Sequence, residues 1–160
     1  MKPIQLQPIG IIHSPFRQPA GTPVQSAAAE RIVGSVEVFP QFTAGLKDLE
    51  GFSHILLLYH FHRAGPPALH VTPFLDDQPH GIFATRAPAR PNPIGISVVR
   101  LLAIDGGTLH VAELDVLDGT PLLDIKPYVP EFDSRPATGI GWLEGRTGRL
   151  RTTADDGRFG

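Results

Sequence analysis

A chain of 160 residues is long enough for one domain that buries roughly two thirds of its unfolded surface. With 41% hydrophobic and 19% charged residues it reads as globular rather than disordered, and 17 Pro with 17 Gly favour short strands and shaped loops over long helices. The formal charge of −2 excludes a global attraction to nucleic acid or anionic membrane, and zero cysteines exclude disulfides, thiolate metal sites and a thiol nucleophile.

The N-terminal MKPIQLQPIG lacks an apolar signal core, and the longest apolar stretch, residues 55–59, is too short to span a bilayer, so a soluble cytoplasmic protein is expected. Residues 5–12 alternate weakly and predict a first strand. A polar loop over 14–29 is punctuated by Pro15, Pro19 and Pro23. Residues 31–39 alternate well, with Ile32, Val36 and Val38 on one face beside Gly34. Phe42, Leu46 and Leu49 predict a short helix over 42–49 that Gly51 stops. The run HILLLYHFH, residues 54–62, reads as a central strand, and a short extended piece follows at 69–72. Residues 81–85 begin another strand that runs into the Pro-rich segment 87–95. Strands over 96–104 and 109–116 are joined by the tight-turn signal Asp105-Gly106-Gly107, and 121–125 adds a last short strand. Beyond Asp133 the chain is rich in Gly, Arg and Thr and is assigned no structure. With no long amphipathic helix, no repeat and no Rossmann, P-loop or nucleophile-elbow motif, the pattern predicts a mostly-β barrel or sandwich.

Three clusters carry chemistry. Pro88, Pro91 and Pro93 stiffen a loop presenting Arg86, Arg90 and Asn92, which suits a carboxylate, a phosphate or a base edge. The alternative is a structural loop with solvated or paired arginines. Asp118-Gly119 forms a turn, and Asp124, Lys126 and Tyr128 alternate onto one side of an extended segment, where Asp124 and Lys126 can equally pair for structure alone. His60 and His62 share a strand face, a possible start for a metal site, but no HExxH, Cys or well-spaced carboxylate completes it. No metal is expected there, and a histidine lining a pocket is the other reading. Ser14-Pro15-Phe16, with Pro23 and Gln25, forms a loop able to fold over a ligand or to lie on the surface.

Taken in order, IGIIHSPF with Pro23 and Gln25, GFSHILLLYHFH, GIFATRAPARPNPIGIS and DVLDGTPLLDIKPYVPEFD span about residues 8–133 and resemble the TsaA-like proteins, the TrmO-type tRNA methyltransferases. The resemblance implies a TsaA-like single-sheeted β-barrel over residues 1–140, with short helical and Pro/Gly-rich loop insertions, and a C-terminal tail over 141–160. It also implies S-adenosylmethionine as cofactor, a homodimer with its cofactor pocket near the subunit interface, and methylation of N6 of threonylcarbamoyladenosine-37 in tRNA. On the matching positions, cofactor contacts fall on Pro23, Val24, Gln25, His62, Arg63, Arg86 and the Leu117-Asp118-Gly119 turn. Arg90, Asn92, Asp124, Lys126 and Tyr128 are expected around the reacting base.

Methylation at such a ureido-type nitrogen needs positioning and loss of its proton, for which Asp118, Asp124 or Lys126 are unranked candidates. The threonyl carboxylate of the substrate would give Arg86 or Arg90 an anionic target. Longer bacterial members carry a further C-terminal domain, whereas 27 residues follow Asp133 here. Arg63, Arg86, Arg90, Arg100, Arg146, Arg149 and Arg151 can build a local basic rim for RNA. The alternatives are a methyltransferase of this fold acting on a small molecule or another RNA, and a cofactor-binding module without turnover.

Overall fold

Eight strands organise the chain: β1 (Gly10–His13), β2 (Val33–Val38), β3 (His54–His60), β4 (His70–Val71), β5 (His80–Gly81), β6 (Ile94–Asp105), β7 (Thr108–Ala112) and β8 (Thr120–Pro127). In this computed structural model, which describes residues 1–29 and 31–159, six of them close into a barrel in the order β1-β2-β7-β6-β3-β8. Every neighbouring pair in the barrel is antiparallel, and β4 and β5 form a separate two-stranded ribbon. The predicted barrel is therefore observed rather than the sandwich. No helix among the described residues is long and apolar enough to cross a membrane.

The barrel follows from two-residue periodicity. Ile12, Val36, Val38, Ile55, Leu57, Val99, Leu109, Val111 and Leu122 point inward and form one buried cluster. Each contributes about 1.5–3 kcal/mol by leaving water. Gly106 turns the β6–β7 hairpin at φ 57°, in the left-handed region where a glycine costs nothing. Register shifts at Leu101/Ala103 in β6 and at Leu58/Tyr59 against β8 bend the sheet so that it can close.

Several elements differ from expectation. The first strand starts at Gly10, not at residue 5, and Ile4 and Leu6 lie exposed without strand partners. The predicted 42–49 helix is instead two 3-10 segments, Pro40–Leu46 and Leu49–Gly51, separated where Asp48 takes φ 67°. The strand predicted over 81–85 pairs only through His80 and Gly81, and Ile82–Ala84 then coil into a 3-10 turn closed by Thr85 N–H on Ile82 O. The strand predicted to reach residue 116 stops at Ala112, because Glu113 adopts φ 66°. A non-glycine residue in that conformation costs about 1–2 kcal/mol. It turns the chain so that Asp115 leaves the sheet. The only α-helix among the described residues is the single turn α1 (Pro130–Asp133).

Candidate ligand pocket

A cavity of about 630 Å³ lies between the barrel and the loops that follow its strands. Four loop stretches contribute to its wall. The loop before the first 3-10 turn contributes Pro23, Val24 and Gln25, and the chain leaving β3 contributes Phe61, His62 and Arg63. The Pro-rich loop contributes Arg86 and Arg90, and the segment after β7 contributes Asp115, Val116 and Leu117. The Arg86 guanidinium donates to Gln25 Oε1 at 2.9 Å, which ties the Pro-rich loop to the 23–25 loop across the cavity wall. Arg63 donates to Arg17 O at 2.6 Å. His62 Nδ1 lies 3.3 Å from Thr120 Oγ1. Burial, then the nearby Arg63 and His60, hold its pKa below the usual histidine value, so it is neutral at pH 7.

Of the residues marked in the sequence as cofactor contacts, Pro23, Val24, Gln25, His62, Arg63, Arg86 and Leu117 line the cavity. Asp118 and Gly119 are not among its lining residues. Asp118 Oδ1 accepts Ser14 N–H at 3.2 Å and sits 3.6 Å from His13 Nδ1, so it pins the N-terminal loop. Gly119 takes φ 75° and donates its N–H to Ile12 O.

Among the residues expected at the reacting base, only Arg90 lines the cavity, and its Nη1 is engaged by the carbonyls of Ile82, Thr85 and Ala87. It thereby holds the Pro-rich loop in shape. Asn92 is exposed, and its carbonyl accepts Ile94 N–H. Asp124 and Lys126 pair at 2.8 Å on the outer barrel surface, and the Tyr128 ring meets His54 edge-on at 6.3 Å. No group of three His, Asp or Glu side chains suited to a metal occurs among the described residues, around His60 and His62 or elsewhere.

Two features were missed in the sequence. The first is a buried polar chain at the cavity wall. Tyr59 and Ser97 occupy inward positions of β3 and β6, and Tyr59 Oη lies 3.0 Å from Ser97 Oγ. Ser97 Oγ–H donates to Asp115 Oδ1 at 2.5 Å. Because the single hydroxyl hydrogen of Ser97 goes to the carboxylate, Tyr59 is the donor to Ser97. Burial pushes the Asp115 carboxyl up to about 6, opposed by the Ser97 hydrogen bond, nearby backbone N–H groups and the Arg86 charge. Burial and the Asp115 charge raise the Tyr59 phenol as well, which keeps it protonated as a donor. A serine at an inward-facing position of an otherwise apolar strand was the available signal.

The second missed feature is the tail. Its 3-10 segments, Gly141–Leu143 and Thr147–Thr152, cross the cavity, and Trp142, Leu143, Leu150 and Phe159 face it. Ala154 bridges Pro23, with Gly21 N–H donating to Asp155 O and Asp155 N–H to Thr22 O. Trp142 Nε1–H donates to Ala84 O at 2.7 Å, its ring stacks on His80 at 4.6 Å, and Arg149 donates to Leu75 O at 2.6 Å. Asp76 anchors this side by accepting from His80 at 3.0 Å and pairing with Arg146 at 3.4 Å.

Residues 11–134 match the tRNA-methyltransferase O N-terminal domain. The chain belongs to this family. A relative named "Probable S-adenosyl-L-methionine-binding protein", from Pyrococcus abyssi, is 61% identical over 153 residues, which cover 96% of this chain and 83% of the relative. The tRNA (adenine(37)-N6)-methyltransferase of Mus musculus is 36% identical over 135 residues, covering 80% of this chain but only 31% of the mouse protein. A crystal structure of TrmO from Pseudomonas aeruginosa matches with a TM-score of 0.74 at 40% identity, over 88% of this chain and 63% of that one. The TrmO-family match spans all but the first residue of the barrel. It stops before the tail segments that cross the cavity.

Proposed function

We propose that this TrmO-family protein transfers the methyl group of S-adenosylmethionine to N6 of threonylcarbamoyladenosine-37 in tRNA. The observation that carries the reading is the convergence of Pro23, Val24, Gln25, His62, Arg63, Arg86 and Leu117 on one cavity in a chain of this family. The volume, about 630 Å³, lies within the usual range for small-molecule sites. The donor set fits the cofactor: Val24, Phe61 and Leu117 supply apolar surface for a base, while Gln25, Arg63 and Arg86 supply donors for hydroxyls and a carboxylate. Bound there, the cofactor supplies an electrophilic methyl group. Arg86, braced by Gln25, orients the anionic end, and neutral His62 borders the site without adding charge. Trp142, Leu143, Leu150 and Phe159 of the tail add apolar wall to the same cavity.

Asp124, Lys126 and Tyr128 fit this reading only through a second copy. Lys126 pairs in register with Leu56 and Asp124 with Leu58 on the outer barrel face, and Leu58 in turn pairs with Ile96. Ile94 and Ile96 are 40% and 51% exposed and also line the cavity. A homodimer built on this apolar face would cover it, roof the cavity and bring the partner's face, with its Asp–Lys pair, to the cavity mouth. On this basis Ile96→Arg is expected to give a monomer by size measurement in solution. An unchanged dimer would discard the face, and a monomeric wild type would discard the dimer.

The deciding experiment incubates the protein with methyl-labelled S-adenosylmethionine and tRNA carrying or lacking threonylcarbamoyladenosine. Label entering only the modified tRNA is the expected result. A cofactor-binding module without turnover is the second reading, favoured by a 40% identical Archaeoglobus fulgidus relative, covered over 97% of its length, that is named for S-adenosyl-L-methionine binding alone. Cofactor binding with no label in any RNA fraction supports it. Label in a small molecule or another RNA supports a methyltransferase with a different acceptor.

A further inference from the structure

Trp142 enters the function proposed above only as apolar wall, yet its ring is held more exactly than a wall requires. It lies in the tail, beyond the residues 11–134 that match the family. One face of the indole stacks on His80, with 4.6 Å between centroids and 18° between planes, and the Nε1–H is taken by Ala84 O at 2.7 Å. His80 is held in turn by Asp76 at 3.0 Å, and Asp76 also pairs with Arg146, whose Nη1 donates to Trp142 O at 2.7 Å. A cover needs only apolar bulk, which Leu143 and Leu150 already supply. It does not need an aromatic ring fixed in angle by a stack and a directed hydrogen bond.

With one face on His80 and its N–H engaged, the half-buried ring has its second face left for the cavity it lines. Ala84, which fixes it, follows Phe83, a second ring that lines the cavity and is 78% exposed, with the Arg90 guanidinium 6.0 Å from its centroid. Two aromatic rings therefore meet solvent and the cavity at one place. A pre-set π-face that solvent reaches fits an unpaired nucleobase entering from outside. Proteins that read single-stranded RNA loops stack splayed-out bases on such rings, and a ring already held in place loses little freedom on binding. We propose that Trp142 is the stacking platform that positions the acceptor adenine of the tRNA loop. This rests on the tRNA-methylation reading above and deepens it by giving the acceptor base a place in the cavity.

Trp142 is the only tryptophan in the chain, so the emission of the protein reports on this ring. The full chain, saturated with S-adenosylhomocysteine, is titrated with an anticodon stem-loop RNA carrying threonylcarbamoyladenosine at position 37, and with the same RNA abasic there. Quenching by the first RNA and not by the second is expected. Trp142→Leu should weaken the base-bearing RNA by about 10- to 100-fold and the abasic one by less than about two-fold. Trp142→Phe, which keeps a π-face, should restore binding to within about five-fold of wild type. Affinity for S-adenosylhomocysteine should stay within about two-fold in both variants, because the Ala154–Pro23 bridge and the Arg149–Leu75 bond still hold the tail. Equal losses for the two RNAs in Trp142→Leu, or equal quenching by both, would make the ring structural and overturn the platform while leaving the tRNA reading in place. Loss of S-adenosylhomocysteine affinity in Trp142→Leu would put the ring on the cofactor and overturn it too. If the wild-type protein binds neither RNA, the tRNA reading itself fails and the platform falls with it.

Discussion

Replacing Gly95 with alanine tests whether the polar chain at the cavity is held by packing. A Cβ at residue 95 would sit 2.2 Å from Tyr59 Cε2, 2.5 Å from Tyr59 Cζ and 2.9 Å from Phe61 Cζ. The Tyr59 ring has little room to retreat, because it is buried, edge-on against Phe61 at 5.3 Å, and hydrogen-bonded through its hydroxyl to Ser97. Overpacking of this kind costs about 1–3 kcal/mol. Displacing the ring adds roughly 1 kcal/mol for the lost hydrogen bond. Removing a glycine from a strand returns about 0.5–1 kcal/mol. The net expectation is a loss of about 2 kcal/mol, or roughly 4–8 °C in Tm for a domain of this size.

Thermal unfolding followed by circular dichroism reads it directly, with Gly51→Ala as control, since a Cβ there meets nothing within 4 Å. In a Tyr59→Ala background only the 2.9 Å approach to Phe61 Cζ remains, so Gly95→Ala should cost much less there, and the two changes should couple by about 1–2 kcal/mol. A Gly95→Ala protein melting within 1 °C of wild type, or an equal loss in both backgrounds, would refute the reasoning.

Three further expectations concern the cavity and its cover. Ending the chain after Pro136 removes the tail wall, so cofactor affinity should fall at least about 10-fold while the circular dichroism of the barrel persists; unchanged affinity would show that the tail is not part of the site. Asp76, held down to about 2 chiefly by His80, is below its unfolded value, so the tail anchor it supplies is present above about pH 4 and lost as pH falls toward 2. Trp142, the sole tryptophan, is stacked on His80, and its fluorescence should change over that window in wild type but not in Asp76→Asn. Asp115 has the opposite sign. Its folded pKa of about 6 exceeds the unfolded one, so its ionisation takes stability away as pH rises from about 4 to 6, by roughly 2–3 kcal/mol in all. The stability of Asp115→Asn relative to wild type should therefore increase over that range in denaturant titrations, and a constant difference would count against a buried, ionisable Asp115.

The barrel was legible where local chemistry and global closure agree. Asp105-Gly106-Gly107 announced its hairpin, and the alternation in β2 and β7 marked their inward faces. It was illegible where pairing partners decide. Ile4 and Leu6 resemble strand residues but face water, and residues 82–84 coil because Thr85 closes a turn on Ile82 O. For the site, the motif strings identified Gln25, His62 and Arg86, which do share a cavity wall. They gave no hint that Asp124 and Lys126 face outward while Asp115, inside the same string, borders the cavity. The deciding event is the left-handed Glu113 after β7, which no residue preference announces. The tail left no pattern because isolated contacts hold it: single side chains on backbone carbonyls, as with Trp142 on Ala84 and Arg149 on Leu75, and the short bridge of Ala154 to Pro23.

The seam of the barrel sets the order in which the molecule can be made. Gly10 pairs with Leu122, so the first strand has one neighbour available early, in β2, and must wait for the last strand to gain its second. On a ribosome β1 and β2 can pair first, β3 must wait for β6, and one side of β1 stays unpaired until residues near 122 have emerged. Long-range closure of this kind places refolding in the slow range, about milliseconds to seconds. During that interval β1 is a free edge able to recruit strands from other chains. Closing the seam removes that edge.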